Sequence, residues 1–291
     1  MLKILIVGGT RYFGIPMTKR LIARGHEVTI ATRGITSDSF GLSVSRIILD
    51  RTDEASICTS LAGAKYDVII DKIAYSSDDV RRLTDNVTCG RYILMSSSAV
   101  YENVHANTDE EAFNPSEHQL KWGERADFDY AEGKRQAECA LFQNYHNHNR
   151  IAVRYPVVLG ENDYTGRLRF YADHIINGIP MHIDDMDSRI SFIHEYEAAL
   201  FLAHLVEADV TGAINGCSGG SISIAEIIRY IEENSGCRAV LSEDGDEAPF
   251  NGYPQQATLN TDKAARCGFI FGTIDSWIYR LLDDIINAVK K

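Results

Sequence analysis

The sequence of 291 residues lacks clustered cysteines, long apolar runs and an excess of positive charge. Its six cysteines form no Cys-x-x-Cys pair and no histidines stand at metal spacing, so we expect neither a disulfide framework nor a bound metal. No apolar run approaches the roughly 20 residues that cross a bilayer, and no charged leader precedes the first one, so we expect no membrane segment and a cytoplasmic location. A net charge of −12 disfavours a broad nucleic-acid surface.

What the sequence does contain is a regular alternation in its first half. Hydrophobic residues make up 45% of the chain, enough for a substantial core. Short runs rich in Ile and Val alternate with amphipathic stretches, which is typical of buried parallel strands joined by helices. We predict an α/β protein with a Rossmann-type doubly wound parallel sheet. The predicted strands are 3–7, 27–31, 45–49, 67–70, 91–96 and 151–156.

The alternation becomes irregular after residue 159. We therefore predict a sheet domain over 1–159 and a smaller C-terminal α+β cap over 160–291. Loops are predicted within 160–187 and 244–256, with helices near 168–177, 224–234 and 274–290. The segment 188–212 is expected to return to the sheet domain.

A glycine-rich turn follows the first strand. Gly8 and Gly14 hold the outer positions of a G-x-x-G-x-x-G spacing, and Arg11 holds the middle one. Such a turn lets a diphosphate approach the backbone at a helix N-terminus, where free N–H groups favour negative charge, and the Arg11 guanidinium can cover a phosphate. The pattern predicts a dinucleotide site; the alternative is a turn whose glycines only permit packing.

Thr32 and Arg33 follow the second predicted strand, at the position where a carboxylate would bind a ribose 2′-hydroxyl. An arginine there suits a 2′-phosphate better, so we expect NADP to be preferred to NAD. Asp50 and Arg51 follow the third strand and are predicted to reach the adenine edge. A turn cap is the alternative role of Asp50.

Tyr130 and Lys134 lie four residues apart in a predicted helix, and therefore on one face. The Lys134 ammonium can stabilise the Tyr130 phenolate, which makes the phenol a candidate general acid or base. By itself this pair is weak evidence for a catalytic site, because two common residues often meet at this spacing on a solvated face. The glycine turn earlier in the chain makes the pair more informative.

Five segments in this order resemble the extended short-chain dehydrogenases/reductases, the NAD(P)-dependent epimerase/dehydratase group that includes UDP-galactose 4-epimerase. They are the turn 8–14, the serine-rich segment 96–101, Tyr130 with Lys134, and the segments 154–160 and 189–194. The resemblance covers most of the chain. It implies hydride transfer between a nicotinamide and a secondary alcohol or carbonyl, and homodimerisation through helices.

The resemblance also implies roles for individual residues. Tyr130 would be the acid/base, Lys134 would bind the nicotinamide ribose, and Ser97 would hydrogen-bond the reacting oxygen. Ser98 is the fallback for Ser97 and is expected at the substrate, while a turn or helix cap is the alternative role of these serines. Further cofactor contacts would come from Thr10, Tyr12, Phe13, Ile73, Ala74, Ser96, Tyr155 and Val157, with Tyr130 and Lys134.

On the substrate side, Arg167 and Arg189 are candidates for holding an anion, and surface charges are the alternative. Arg189 lies one residue farther from the Phe-Ile-His run than the family pattern expects. A nucleotide-linked sugar is the favoured substrate class. Epimerase, dehydratase and reductase share one hydride-transfer site and stay open.

A different class of function is an RNA-associated protein that binds a cofactor without redox turnover. The Gly-Gly-Thr-Arg-aromatic-x-Gly turn and the short segment 77–92 are similar to those of chloroplast stem-loop-binding proteins. The acidity of the chain argues against this alternative. An isoflavone-reductase-like enzyme is a third alternative, weakened by the intact set of Ser97, Tyr130 and Lys134.

Overall fold

The computed structural model describes residues 1–147 and 149–291. The strands are β1 (Lys3–Val7), β2 (Glu27–Thr32), β3 (Ser45–Ile48), β4 (Ala64–Asp71), β5 (Val87–Ser97), β6 (Asn149–Tyr155), β7 (Val158–Leu159), β8 (Met181–His182), β9 (Arg189–Ile190), β10 (Ile193–His194), β11 (Gly212–Asn215), β12 (Ile222–Ser223), β13 (Asp246–Glu247) and β14 (Gln256–Ala257). The helices are α1 (Gly14–Ala23), α2 (Glu54–Leu61), α3 (Ser77–Asn86), α4 (Tyr130–Asn144), α5 (Arg167–Asn177), α6 (Glu195–Leu205), α7 (Ile224–Ser235), α8 (Asp262–Arg266) and α9 (Ile278–Val289).

Among the described residues, the central sheet has seven strands in the order β11-β6-β5-β4-β1-β2-β3, all paired in parallel. The order runs outward in both directions from β1 and β4, which is the doubly wound arrangement. The prediction of a Rossmann-type parallel sheet is confirmed. The side chains of Ile4, Leu5 and Ile6 are fully buried, because helices cover both faces of the sheet.

Two apolar cores lie on the two faces of this sheet. One core contains side chains from α1 and α6, and these two helices pack against each other. The opposite core contains side chains from α2, α3 and α4. Residues 195–215 thus lie with the sheet, since α6 packs on α1 and β11 pairs with β6 at the sheet edge.

The cap has a third apolar core, formed largely by α5, α7 and α9. Short strands pair around it in small sheets, β12-β9-β14 and β13-β8. The helix predicted over 274–290 is divided into a 3₁₀ turn at Ile274–Ser276 and α9, which begins at Ile278. No helix in the described part of the chain is both long and apolar enough to cross a membrane.

Candidate active site

Two adjoining cavities open above the carboxyl ends of the parallel strands. The first cavity, about 540 Å³, lies over the glycine turn and the ends of β1 to β4. The second cavity, about 1000 Å³, lies between the ends of β5 and β6 and the cap. Six residues line both cavities: Tyr12, Phe13, Tyr75, Met95, Arg125 and Tyr164. Ligands in the two cavities would therefore meet at this shared wall.

The glycine turn is built by backbone conformation and by close packing. Gly8 and Gly9 have φ values of 93° and 101°, in the region that favours glycine. A Cβ on Gly14 would lie 2.8 Å from the Gly9 Cα and 2.5 Å from the Lys72 Nζ. The first turn of α1, which begins at Gly14, carries no acidic residue. The N–H groups of Gly14 and Ile15 donate to the carbonyl oxygens of Arg11 and Tyr12, so α1 offers the first cavity the positive end of its dipole rather than free N–H groups.

The predicted site residues separate between the two cavities. The first cavity is lined by Gly8, Thr10, Arg11, Tyr12, Phe13, Thr32, Arg33, Asp50, Arg51 and Ile73. The second is lined by Ser96, Ser97, Ser98, Tyr130, Tyr155, Val157 and Arg167, and by Tyr12 and Phe13 again. Gly14 lies at the start of α1, whereas Ala74 and Lys134 are fully buried and Arg189 lies in the cap.

The residues predicted at the adenosine end differ in what they already contact. Arg33 is exposed, whereas Arg11 donates from Nε and Nη2 to the Thr36 hydroxyl at 3.1 and 2.9 Å. Asp50 accepts hydrogen bonds from the Thr52 hydroxyl and backbone, which lower its pKa, so it also forms a turn cap. The alternative turn role of Asp50 is thus observed, while its adenine contact stays a prediction for a residue that lines the first cavity.

Arg51 is buried, and it holds the segment after β3 against β4. Its guanidinium donates to both Asp71 carboxylate oxygens at 2.6 and 3.1 Å and to the Asp79 carbonyl oxygen at 2.8 Å. The Tyr92 hydroxyl donates to the same Asp71 carboxylate at 2.6 Å. Most donors of Arg51 are therefore engaged inside the protein, although its side chain lines the first cavity.

Lys134 and Tyr130 both approach Tyr75, but at different depths. The fully buried Lys134 ammonium donates to the carbonyl oxygens of Ala74 at 2.7 Å and Met95 at 2.9 Å. It lies 4.3 Å from the ring centroid of Tyr75 and 6.0 Å from that of Tyr130. Burial lowers the pKa of Lys134 to about 8. The Lys134 ammonium thus lies buried behind the exposed Tyr130 ring, and it is closer to the Tyr75 ring than to the Tyr130 ring.

The three serines after β5 have different partners. Ser96 is buried and donates to Glu138 at 2.5 Å, and that carboxylate pairs with the buried Arg154. Ser97 accepts from the Ala99 N–H at 3.2 Å and so caps a short 3₁₀ turn at Ser98–Val100. Ser97 therefore combines the cap role with a position on the wall that also carries Tyr130.

The two arginines predicted at the substrate differ in location and in contacts. Arg167 begins α5 and lines the second cavity, donating to the Thr165 hydroxyl at 3.0 Å. Arg189 donates to the Ser221 carbonyl oxygen at 2.8 Å and pairs with Glu226 at 2.9 Å. Those contacts hold β9 against the start of α7, so the position of Arg189 adds no support for its predicted anion-binding role.

Sequence reasoning missed several residues of this site. Arg125 lines both cavities and lies 4.2 Å above the Tyr75 ring centroid, but its segment is irregular and carries no motif. Tyr164 and Tyr253 reach the second cavity from the cap. Lys72 lines the first cavity directly after β4. Its position at a strand end, where phosphates bind in such folds, is the signal that could have identified it.

A nicotinamide dinucleotide fits the residues present, because the glycine turn, the positive end of the α1 dipole and the Lys72 ammonium converge on the first cavity. In the described part of the chain, no group of three or more His, Cys, Asp and Glu side chains is placed to hold a metal ion.

This fold, with its turn and its adjoining cavities, defines a Rossmann-type α/β protein with a smaller C-terminal cap. Residues 4–215 match the model of the NAD dependent epimerase/dehydratase family. Since this match covers most of the chain, the protein belongs to that family. The family predicted from its motifs is confirmed.

Solved structures of sugar-nucleotide epimerases share the fold over almost the whole chain. The UDP-glucose 4-epimerase of Thermotoga maritima with UDP-glucose aligns at a TM-score of 0.73 and 15% identity, covering 99% of this chain and 98% of that chain. The UDP-glucuronic acid 4-epimerase of Bacillus cereus with NAD aligns at 0.72 and 16% identity, covering 99% and 96%. At such identities the likeness establishes the fold.

A curated relative shows a more local likeness. The chloroplast stem-loop binding protein of 41 kDa b from Arabidopsis thaliana is 32% identical over 129 residues. The match covers 39% of this chain and 34% of that protein, so it spans about a third of the relative's length.

Proposed function

We propose that this protein binds a nicotinamide dinucleotide in the first cavity and transfers hydride at a secondary alcohol or carbonyl of a substrate in the second. The observation that carries the proposal is the wall shared by the two cavities. A dinucleotide that starts over the glycine turn can reach the region of Tyr130 and Ser97 along that wall. When bound, the nicotinamide supplies the carbon that accepts or returns hydride.

The residues of the second cavity would handle the proton. The Tyr130 phenol would exchange a proton with the substrate hydroxyl, while the Ser97 hydroxyl would hydrogen-bond the same oxygen. Lys134 would stabilise negative charge on the phenol from behind and tie Ala74 to Met95 through its hydrogen bonds. This division of roles needs no metal ion.

A nucleotide-linked sugar is the proposed substrate class. Arg125 and Arg167 line the second cavity and offer positive charge to a diphosphate. Related folds have been solved with UDP-glucose or as UDP-sugar epimerases. The family membership supports the same class of substrate.

The test is the Tyr130→Phe variant, assayed with UDP-glucose and other UDP-sugars in the presence of NAD⁺ or NADP⁺. We expect turnover to fall by about 10²- to 10⁴-fold, because the phenolic proton is lost, while dinucleotide binding measured by calorimetry is retained. Tyr196→Phe is the matched control, since Tyr196 is similarly exposed but lies on α6. Full turnover in Tyr130→Phe would contradict the assignment.

The net reaction is read from the same assay. Conversion of the sugar without change in nicotinamide absorbance indicates epimerisation, whereas a stoichiometric change in absorbance indicates net oxidation or reduction. Dimerisation through helices, which the family resemblance implies, is checked by sedimentation equilibrium.

RNA association is a second candidate because of the local match to the chloroplast stem-loop binding protein. The net charge of −12 opposes it. Titration of a stem-loop RNA over a range of salt concentrations distinguishes the two: tight, salt-sensitive binding would support RNA association, and no binding would remove it.

A further inference from the structure

Lys72 places a buried ammonium group between the glycine turn and the start of α1. Its backbone N–H donates to the Val7 carbonyl oxygen at 3.2 Å, which ties it to the end of β1. Its side chain is only 6% exposed, and Nζ lies 4.0 Å from the Phe13 ring centroid. Because Gly14 has no side chain, Nζ occupies space within 2.5 Å of where a Cβ would stand.

Two carboxylates close to Lys72 along the chain, Asp71 and Asp79, are engaged elsewhere. Asp71 accepts hydrogen bonds from Arg51 and Tyr92, and Asp79 accepts from the Tyr75 N–H and pairs with Arg51. Within residues 1–147 and 149–291, the Lys72 ammonium has no hydrogen-bond acceptor; its ring contact with Phe13 is its only charge-stabilising neighbour.

A buried cation without an anion is costly, so such a group calls for a ligand. Burial alone lowers the pKa of Lys72 to about 7. The contrast with Lys134 is informative, because that ammonium is also buried but donates to two carbonyl oxygens. Lys72 instead lines the first cavity, where an incoming anion can reach it.

We propose that Lys72 binds the diphosphate of the dinucleotide, completing the phosphate site formed by the glycine turn and the N-terminus of α1. This inference rests on the proposed function. Three features indicate a diphosphate: the positive end of the dipole of a ten-residue helix, a first turn without acidic residues, and a compact cation aimed at the same space. The guanidinium of Arg11, the arginine of the turn, is partly engaged by the Thr36 hydroxyl. Lys72 therefore supplies positive charge that Arg11 provides only in part.

The alternative is a purely structural lysine, held by Phe13 to brace the turn. The two roles predict opposite effects of Lys72→Met on the ligand-free protein. Removing an unsatisfied buried charge raises the melting temperature, whereas removing a structural brace lowers it. The two roles also predict different effects on dinucleotide affinity. Lys72→Met should weaken binding strongly only if Lys72 contacts the dinucleotide.

The experiment measures dissociation constants of NAD⁺, NADP⁺ and ADP-ribose by calorimetry for the wild type, Lys72→Met and Lys65→Met. Lys65 is the matched control, because it is exposed at the opposite end of the same strand and its substitution changes the net charge equally. We expect Lys72→Met to weaken all three ligands by about 10- to 100-fold and by similar factors, with Lys65→Met unchanged. ADP-ribose carries the diphosphate without the nicotinamide, so it locates the contact.

Each outcome separates this inference from the proposed function. If the wild type binds none of the three ligands, the proposed function and the inference both fail. If the wild type binds them and Lys72→Met binds them equally well, only the inference fails. If Lys72→Met loses NAD⁺ and NADP⁺ affinity but keeps ADP-ribose affinity, Lys72 acts at the nicotinamide end and the diphosphate assignment is wrong. A lower melting temperature of ligand-free Lys72→Met together with unchanged affinity establishes the structural role.

Discussion

The two cavities are built on one sheet edge, yet they hold their charges in different ways. Behind Tyr130 of the second cavity lies the buried Lys134, whose ammonium donates to two backbone carbonyl oxygens. The wall of the first cavity contains Lys72, whose ammonium faces no hydrogen-bond acceptor in the described part of the chain. A satisfied cation rigidifies a site before a ligand arrives, whereas an unsatisfied cation reserves its interaction for the ligand. The comparison separates a positioning charge from a binding charge.

Removing Lys134 gives the largest expected effect. In Lys134→Met, turnover should fall by about 10²-fold or more, because the phenolate of Tyr130 loses the buried cation behind it. Dinucleotide affinity should fall less than turnover does. Steady-state kinetics and calorimetry on the same variant measure the two effects. An equal loss of both would erase the distinction between the two lysines.

Arg51→Met tests the buried network under the first cavity. Asp71 and Asp79 would lose their common cation, which should lower the free energy of unfolding by about 3–5 kcal/mol. Urea denaturation of the ligand-free variant measures this loss. Arg20→Met serves as the control, since Arg20 is exposed on α1. A change of stability no greater than that of the control would mean that the network is dispensable.

Arg33→Met tests the adenosine end of the first cavity. If Arg33 receives the 2′-phosphate, NADP⁺ affinity should fall by about tenfold relative to NAD⁺ affinity. Lys72→Met should leave that ratio unchanged, because both dinucleotides share the diphosphate. Tighter binding of NAD⁺ than NADP⁺ by the wild type would remove the argument for NADP.

The pH dependence of dinucleotide affinity is the smallest effect. The pKa of Lys72 is lowered from 10.5 to about 7 in the free protein, so the cation that binds phosphate is lost as pH rises through 7. Affinity should decline above that pH by several-fold. Lys134, with its pKa lowered to about 8, contributes a later decline, which Lys72→Met should retain while losing the earlier one. The other charged groups facing this cavity are Arg11, Arg33, Asp50, Arg51, Asp79, Glu124 and Arg125.

The stability of the ligand-free protein should change with pH in the opposite direction to dinucleotide affinity. Lys72 holds its proton more weakly in the folded than in the unfolded chain. The buried charge therefore lowers the free energy of unfolding of the wild type most below pH 7, and this loss disappears between about pH 7 and 10.5. The stability gained in Lys72→Met should therefore shrink as the pH rises over that window. Melting temperatures of the ligand-free proteins at several pH values measure it. A gain independent of pH would show that the charge is not its cause.

Local sequence patterns predicted the sheet well. The strand at Lys3–Val7 matches its predicted bounds, and β6 at Asn149–Tyr155 differs from its predicted range by two residues at the start and one at the end. Such apolar runs are reliable because a strand covered on both faces needs apolar side chains throughout. The cap was harder to predict, since its two-residue strands, such as β8, carry too few residues for any periodicity.

For the candidate site, motifs identified residues that line the cavities where one short segment holds them together. The glycine turn lies in the first cavity, and Ser97 and Tyr130 share the second. Arg51 shows the limit: nothing in its neighbours along the chain reveals that Asp71 and Asp79 fold against it. Arg189 shows the same limit, because its partners Ser221 and Glu226 lie more than thirty residues farther along the chain.

The amino-acid sequence by itself determined the parallel sheet, the glycine turn and the family, because these depend on residue types repeated within a few positions. Only the tertiary structure decided which charges are satisfied. Lys72 and Lys134 are alike as isolated residues. Their difference arises because the fold brings the carbonyl oxygens of Ala74 and Met95 to Lys134, while among the described residues no acceptor lies at the Lys72 ammonium. Electrostatic energy in a buried site depends on distances in space, which spacing along the chain does not encode.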